Sequence, residues 1–337
     1  MSGGARWARF ALSRNLGSAR LRLRLALLAG AGVALVAPPI LLSEYWVNVL
    51  SQGLIFAVFA MSLDLLLGYT GLPSLGHAAF FGAGAYGVGL AILKAGLPLW
   101  LASLIGLAAA VLIAAVFGAL VLRTRGAYFL MITLAMAQIV WGVAWSWRSM
   151  TGGDDGLSGI PRPDLGRGVI SLWEPRQFYV LVLLAALAAG LVMALIVRSP
   201  FGYTLRGICE NRLRMEMLGY DVWRFEYAVF LLSAFFAGVA GMLFAWFNGF
   251  VNPSLLSVGL SAEVLLTVVL GGAGSLGGPA VAAAAVAVLQ SLVTDYTKRW
   301  ALVLGLLYAT VAIVAPKGVP ARIRREIERR RERPADR

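Results

Sequence analysis

The chain has 337 residues, is 60% hydrophobic and only 13% charged, and carries a formal net charge of +13. Soluble domains run at about 25% charged residues, so this composition excludes an ordinary soluble enzyme. One Cys excludes an internal disulfide framework or thiolate metal site, and one His excludes a histidine metal cluster. The excess of basic residues fits nucleic-acid binding or membrane topology, and its placement along the chain decides between them.

Ten apolar segments follow one another, most near the length a helix needs to cross a ~30 Å hydrocarbon core. They are 25–42, 45–67, 77–93, 97–122, 126–147, 177–197, 227–247, 259–272, 278–294 and 300–315. The expected class is all-α: a polytopic transmembrane helical bundle of about ten spans. Segments eight and nine are short and separated by the glycine-rich run from Gly271 to Gly278. Such a pair is the usual sign of discontinuous or re-entrant helices near a transport pathway. The turn from Gly68 to Gly76 is similar. Ser74-Leu75-Gly76 and Ser275-Leu276-Gly277 repeat the same tripeptide, weak support for a degenerate internal repeat.

Charge placement orients the bundle. With the N-terminus inside and ten crossings, 22 of the 29 basic residues fall in inside pieces: 1–24, Arg123 and Arg125, 198–224 and 316–337. That bias favours both termini in the cytoplasm, and no nucleic acid is needed to explain the net charge. The parts are therefore a basic cytoplasmic N-terminus (1–24), a membrane domain (25–315) and a basic cytoplasmic tail (316–337). The tail reads as solvated and touching anionic headgroups. Segment one lacks a convincing cleavage site and reads as a retained helix rather than a signal peptide.

Three connecting pieces carry information. The outer loop 148–176 opens Thr151-Gly152-Gly153-Asp154-Asp155-Gly156-Leu157. Its adjacent carboxylates lack the alternating spacing of a calcium loop. A docking or gating surface and a plain solvated connection both remain open. In the cytoplasmic loop 198–224, Ser199 is a good N-cap, Pro200 a good first helical residue and Gly219 a stop. Leu205, Cys209, Leu213 and Met217 recur every four residues as an apolar stripe. An amphipathic helix there fits the lipid interface or a groove in a soluble partner. Asn248 to Pro253 marks a turn to which no chemistry is assigned.

No lysine completes a phosphate-binding loop, so any ATP is hydrolysed by another chain. Gly82, Gly84 and Gly87, and Gly272, Gly274 and Gly277, match the dinucleotide fingerprint, but they lie in or between membrane helices and read as close helix packing. Polar groups in the spans are the pathway candidates: Asp64, His77, Gln138 and Glu263, with Ser74 and Ser275 in the glycine turns. Ionisable residues in a membrane mark function or stay near water, and both readings stand for Asp64 and Glu263. Gln138 and Gln290 also suit interhelical hydrogen bonds, and His77 a helix-end hydrogen bond. These groups are few and scattered, unlike the chain expected of a proton-coupled carrier.

Several stretches together resemble one family. Leu67 to Tyr86 (LGYTGLPSLGHAAFFGAGAY), Arg125 to Phe129 with Thr133 to Gln138, Thr151 to Leu157, Ser199 to Gly202, Leu218 to Val222, and Val269 to Pro279 are similar to branched-chain amino acid ABC-transporter permeases of the LivM type. The resemblance covers about 45–315. It implies a multi-pass protein of the bacterial inner membrane, itself no enzyme and holding no cofactor. It further implies a homologous second permease, two cytoplasmic ATPase subunits that bind ATP and Mg, and an extracytoplasmic substrate-binding protein. Loop 199–221 would be the coupling element, with Arg206, Glu210, Leu213, Met217 and Gly219 toward the ATPase. Asp154 and Asp155 would help receive the binding protein. The segment departs from the family pattern at Cys209-Glu210-Asn211-Arg212, where Arg-Glu-Asn-Glu is frequent, and at Met215 and Met217, where Ala is common. Similar permeases also carry urea, short amides and aromatic or carboxylate compounds. An ion-coupled secondary carrier is the more distant alternative.

Overall fold

A computed structural model describes residues 38, 42–163, 174–296 and 300–314. Both basic termini, nearly all of segment one and positions 164–173 of the long loop lie outside the described residues. The chain divides into two compact units, 1–47 and 48–337. In the first, Tyr45 and Trp46 meet edge to face at 5.5 Å. Apart from the first residues of the helix that starts at Glu44, everything below concerns the second.

The elements are α1 (Glu44–Thr70), α2 (His77–Leu93), α3 (Leu99–Val121), α4 (Ala127–Ser146), the single turn α5 (Arg148–Thr151), β1 (Leu157–Ser158), α6 (Pro175–Arg198), α7 (Pro200–Met217), α8 (Val222–Asn248), β2 (Phe250–Val251), α9 (Val258–Gly271), α10 (Gly277–Tyr296) and α11 (Trp300–Val314). By length and composition, α1, α3, α4, α6, α8 and α10 suit membrane crossing, and α2 and α9 are shorter apolar helices. The protein is thus a multi-pass helical membrane protein. Local chemistry sets the ends. Ser199, Asp221 and Ser257 each accept a first-turn N–H through the side chain. One boundary moves: the seventh segment, expected from 227, begins at Val222, because Asp221 caps the helix and Glu226 lies inside it.

α2 is the centre of the bundle and is buried along almost its whole length. It packs against α3 and α8, and small residues set the spacing. A Cβ on Gly84 would stand 2.7 Å from Gly238 Cα of α8, and one on Gly87 would stand 2.7 Å from Gly106 Cα of α3. The glycine match in α2 is therefore close packing, as expected. α3 is apolar all round, yet apart from Val121 at its end it buries a small-residue stripe: Ala102, Gly106, Ala110, Ala114 and Gly118. Its bulky Leu104, Leu112, Val116 and Leu120 are exposed, as are Leu184, Leu187, Leu191 and Leu195 of α6. Without a hydrophobic drive between helices in lipid, close backbone approach holds such bundles together, and the large side chains are left for acyl chains. Phe59 and Phe81 (4.6 Å), Phe81 and Phe244 (5.5 Å), and Phe80 and Phe230 (5.4 Å) fill the aromatic core.

Candidate functional site

Two helix breaks adjoin the second half of α1, one following it in the chain and one packed against Asp64 and Gly68. α1 runs to Thr70, and a Cβ at Gly71 would stand 3.4 Å from Cys209 Sγ of α7. The chain then doubles back. α2 starts at His77, whose Nε2 lies 2.8 Å from Ser62 Oγ. Ser62 is eight residues before Thr70, about 12 Å along the helix at 1.5 Å per residue. The α2 N-terminus is therefore buried, and its N–H groups need partners. Hydroxyls supply them: Leu75 N donates to Thr133 Oγ1, Gly76 N to Ser74 Oγ and Ala78 N to Ser261 Oγ. Ser62 donates its own proton to Phe59 O, so it accepts from His77 Nε2–H. His77 stacks on Phe59 at 5.4 Å, and its Nδ1 has no hydrogen-bond partner among the described residues.

The second break lies between α9 and α10. Asp64, fully buried, accepts from Gly274 N at 2.7 Å and from Leu276 N at 2.8 Å, one bond per carboxylate oxygen. The loop bends to present both N–H groups. Gly274 takes φ 84° and Leu276 φ 49°, the latter a left-handed conformation that L side chains disfavour. Gly68 faces the same loop, where a Cβ would overlap Gly274 N and the Asp64 carboxylate. Ser275, exposed, donates to Gly272 O and accepts from Gly278 N. Both Ser-Leu-Gly turns thus use the serine as a local cap.

The other pathway candidates separate. Glu263 lines a cleft between α1, α9 and α10, with Phe56, Val264, Thr267, Val286 and Gln290. Thr267 donates to Glu263 O or shares a hydrogen bond with Tyr308 Oη. Gln138 is exposed on α4 and joins neither the breaks nor the cleft. Gln290, read as an interhelical hydrogen bonder, lines the same cleft as Glu263. Serine and threonine caps such as Thr133 and Ser261 gave no sequence signal, because hydroxyls in apolar helices usually bond their own backbone.

The segment expected to couple differs from a single amphipathic helix. α7 is broken at Asn211, with φ −158° and ψ 96°. The Asn211 carboxamide oxygen accepts from Arg214 N and starts a second helical piece. The stripe is divided accordingly. Leu205 is buried, whereas Leu213 is 62% and Met217 78% exposed, followed by exposed Leu218 and Tyr220. Arg206 lies over the Tyr69 ring at 5.1 Å. Glu210 is exposed. Burial and the Glu210 charge push the Cys209 thiol above its ordinary range. Gly219 takes φ 86° and ends the segment.

Glu226, in the first turns of α8, was missed by the sequence reading. It is 1% exposed and bound bidentately by Arg125, with both N···O distances 2.7 Å. Arg212 of α7 stands 3.7 Å away and pairs with Glu216 at 2.7 Å.

In the loop after α4, Thr151 donates to Ala144 O and Trp147 O and accepts from Gly153 N. Asp154 and Asp155 sit exposed on a short turn. Leu157 and Ser158 then pair antiparallel with Val251 and Phe250, so the turn at 248–253 holds this loop in place.

Apolar spans with two internal helix breaks define a polytopic membrane transport protein. A family model described as "Branched-chain amino acid transport system / permease component" matches residues 45–315, and the chain belongs to that family. It is 32% identical over 312 residues to the high-affinity branched-chain amino acid transport system permease protein LivM of Salmonella typhimurium, covering 85% of this chain and 72% of that one. To LivM of Escherichia coli K12 it is 31% identical, with the same coverage. To the LivH permease of Salmonella typhimurium it is 24% identical, over 82% of this chain and 94% of that one. No solved structure matches the chain.

Proposed function

We propose that this permease is one membrane half of an ATP-binding-cassette importer for branched-chain amino acids in a bacterial inner membrane. It pairs with a second, homologous permease, as the likeness to both LivM and LivH supports. Two cytoplasmic ATPase subunits supply the energy, and an extracytoplasmic binding protein delivers the cargo. The observation that carries the reading is the exposed row Leu213, Met217, Leu218 and Tyr220 at the end of a kinked, charged segment. Exposed apolar rows of this kind mark protein interfaces, and an ATPase groove is the partner the family provides. Arg206 and Glu210 flank it, and Gly219 ends it. Asp154 and Asp155, on the braced loop across the bundle, face the binding protein.

Cargo passes the cleft holding Glu263 and Gln290. The two breaks, fixed by Asp64, Ser74, His77 and Ser275, are the elements whose packing changes as the pathway alternates. Gln138, on the exposed side of α4, contributes through the second permease.

Leu213→Asp tests the docking surface. Because Leu213 is exposed, its effect on folding stays within about 0.5 kcal/mol. The variant is expected to reach the membrane and lose co-purification with the ATPases. Wild-type recovery of ATPases and wild-type uptake would refute the docking role.

A further inference from the structure

The kink at Asn211 divides α7 into two pieces with different attachments. The first rests on the end of α1, with Arg206 over Tyr69 at 5.1 Å and Cys209 against Gly71. The second rests on Glu226 of α8 through Arg212, at 3.7 Å. Glu226 in turn holds Arg125, from the turn between α3 and α4, in a two-pronged pair. Four charges of alternating sign therefore run Arg125, Glu226, Arg212, Glu216 across three parts of the chain.

The distances are unequal in a way that matters. Arg125 and Glu226 match prong for prong at 2.7 Å, the planar geometry in which a guanidinium binds a carboxylate most firmly. Glu226 is 1% exposed, and a carboxylate that dry cannot give up its partner without a large desolvation cost. That pair is a fixed strut between α8 and the α3–α4 turn. Arg212 is different. At 3.7 Å it is beyond hydrogen-bond reach of Glu226, and it already has Glu216 at 2.7 Å on its own helical piece. Moving away strands neither carboxylate, and moving closer adds a second cation to a buried anion. It is a contact built to be made and broken.

We infer that Glu226 is a positioning residue for transport: it links movement of the second piece of the coupling segment, through Arg212, to α8 and, through Arg125, to the α3–α4 turn. This rests on the docking role proposed above for that segment. The piece carrying Leu213 and Met217 moves with the ATPase, Arg212 follows, and the Glu226–Arg125 strut passes the displacement to the helices packed on α2. The first piece has its own route through Tyr69 and Gly71 to α1 and the two breaks. Asn211 is the joint that lets the routes move separately.

The test compares Glu226→Gln, Glu226→Asp and Arg212→Gln in the full transporter, purified with its ATPases and reconstituted with the binding protein. Co-purified ATPase, ATP hydrolysis stimulated by loaded binding protein, and uptake of labelled leucine are read on the same vesicles. Arg125 is 37% exposed, so Glu226→Gln leaves it able to reach water. Glu226→Gln and Arg212→Gln are expected to keep their ATPases and their stimulated hydrolysis while uptake per ATP falls about tenfold, the scale of a typical coupling free energy. Glu226→Asp, which keeps the charge, is expected to recover most of it. Unchanged uptake per ATP in Glu226→Gln, or a loss that tracks missing ATPase subunits, would overturn the inference. Failure of the wild type to retain ATPases would instead overturn the docking role beneath it.

Discussion

Removing the Asp64 carboxylate tests whether the second break is anchored as the geometry indicates. Asp64 accepts two backbone N–H bonds, from Gly274 in a partly buried position and from Leu276 in a buried one. Orphaning a buried N–H costs about 1–3 kcal/mol. Leu276 N–H takes the upper part of that range, and Gly274 N–H, beside exposed Ser275, the lower part, giving about 3–4 kcal/mol for Asp64→Ala. Asp64→Asn keeps one acceptor and turns an NH₂ toward the other N–H, so about half that loss is expected. At roughly 2 °C per kcal/mol for a chain of this size, the apparent melting point should fall by about 6–8 °C for Ala and about half as much for Asn. Size-exclusion of heated, detergent-solubilised permease reads both shifts. A melting point for Asp64→Ala within a degree or so of wild type would refute the anchoring argument. Preserved melting with abolished uptake would place Asp64 in contact with cargo instead.

Two further outcomes follow from packing and charge. Gly84→Ala puts a methyl against Gly238 backbone atoms, and overpacking of that kind costs about 1–3 kcal/mol. Gly142→Ala on α4 meets nothing within 4 Å and should hold or raise the melting point; equal effects at both sites would contradict the close α2–α8 crossing. Cys209 is the chain's one cysteine, and burial together with Glu210 holds its pKa up. Since the thiolate is the nucleophile, alkylation at neutral pH should run below that of a free peptide cysteine, climb with pH and speed up in Glu210→Gln. A rate indifferent to Glu210 would refute that electrostatic account.

Helix ends were legible where a single residue decides them. Ser199, Pro200 and Gly219 bound α7 as read, and α2 runs from His77 to Leu93 on the expected residues. The break at Asn211 was not legible from the four-residue stripe, because periodicity registers which face is apolar and not whether the backbone continues. Asn is a favoured N-cap residue, and Asn211 itself was the available signal. The start of α8 was placed late because Glu226 interrupts the apolar run, and the same error hid the Arg125 pair. Glu226 and Arg125 are 101 residues apart, and Asp64 and Gly274 are 210 apart. Partners so distant leave no local pattern, so Asp64 stood out in the sequence as an intramembrane carboxylate while its two N–H donors did not.

The central claim is ATP-driven import of branched-chain amino acids through this chain. The direct test is uptake of labelled leucine, isoleucine and valine into vesicles containing the permease pair, its ATPases and the binding protein. Uptake that requires ATP inside the reaction and the binding protein outside, and that persists without ion gradients, is the predicted result. Uptake sustained by an ion gradient after ATP is removed would contradict it.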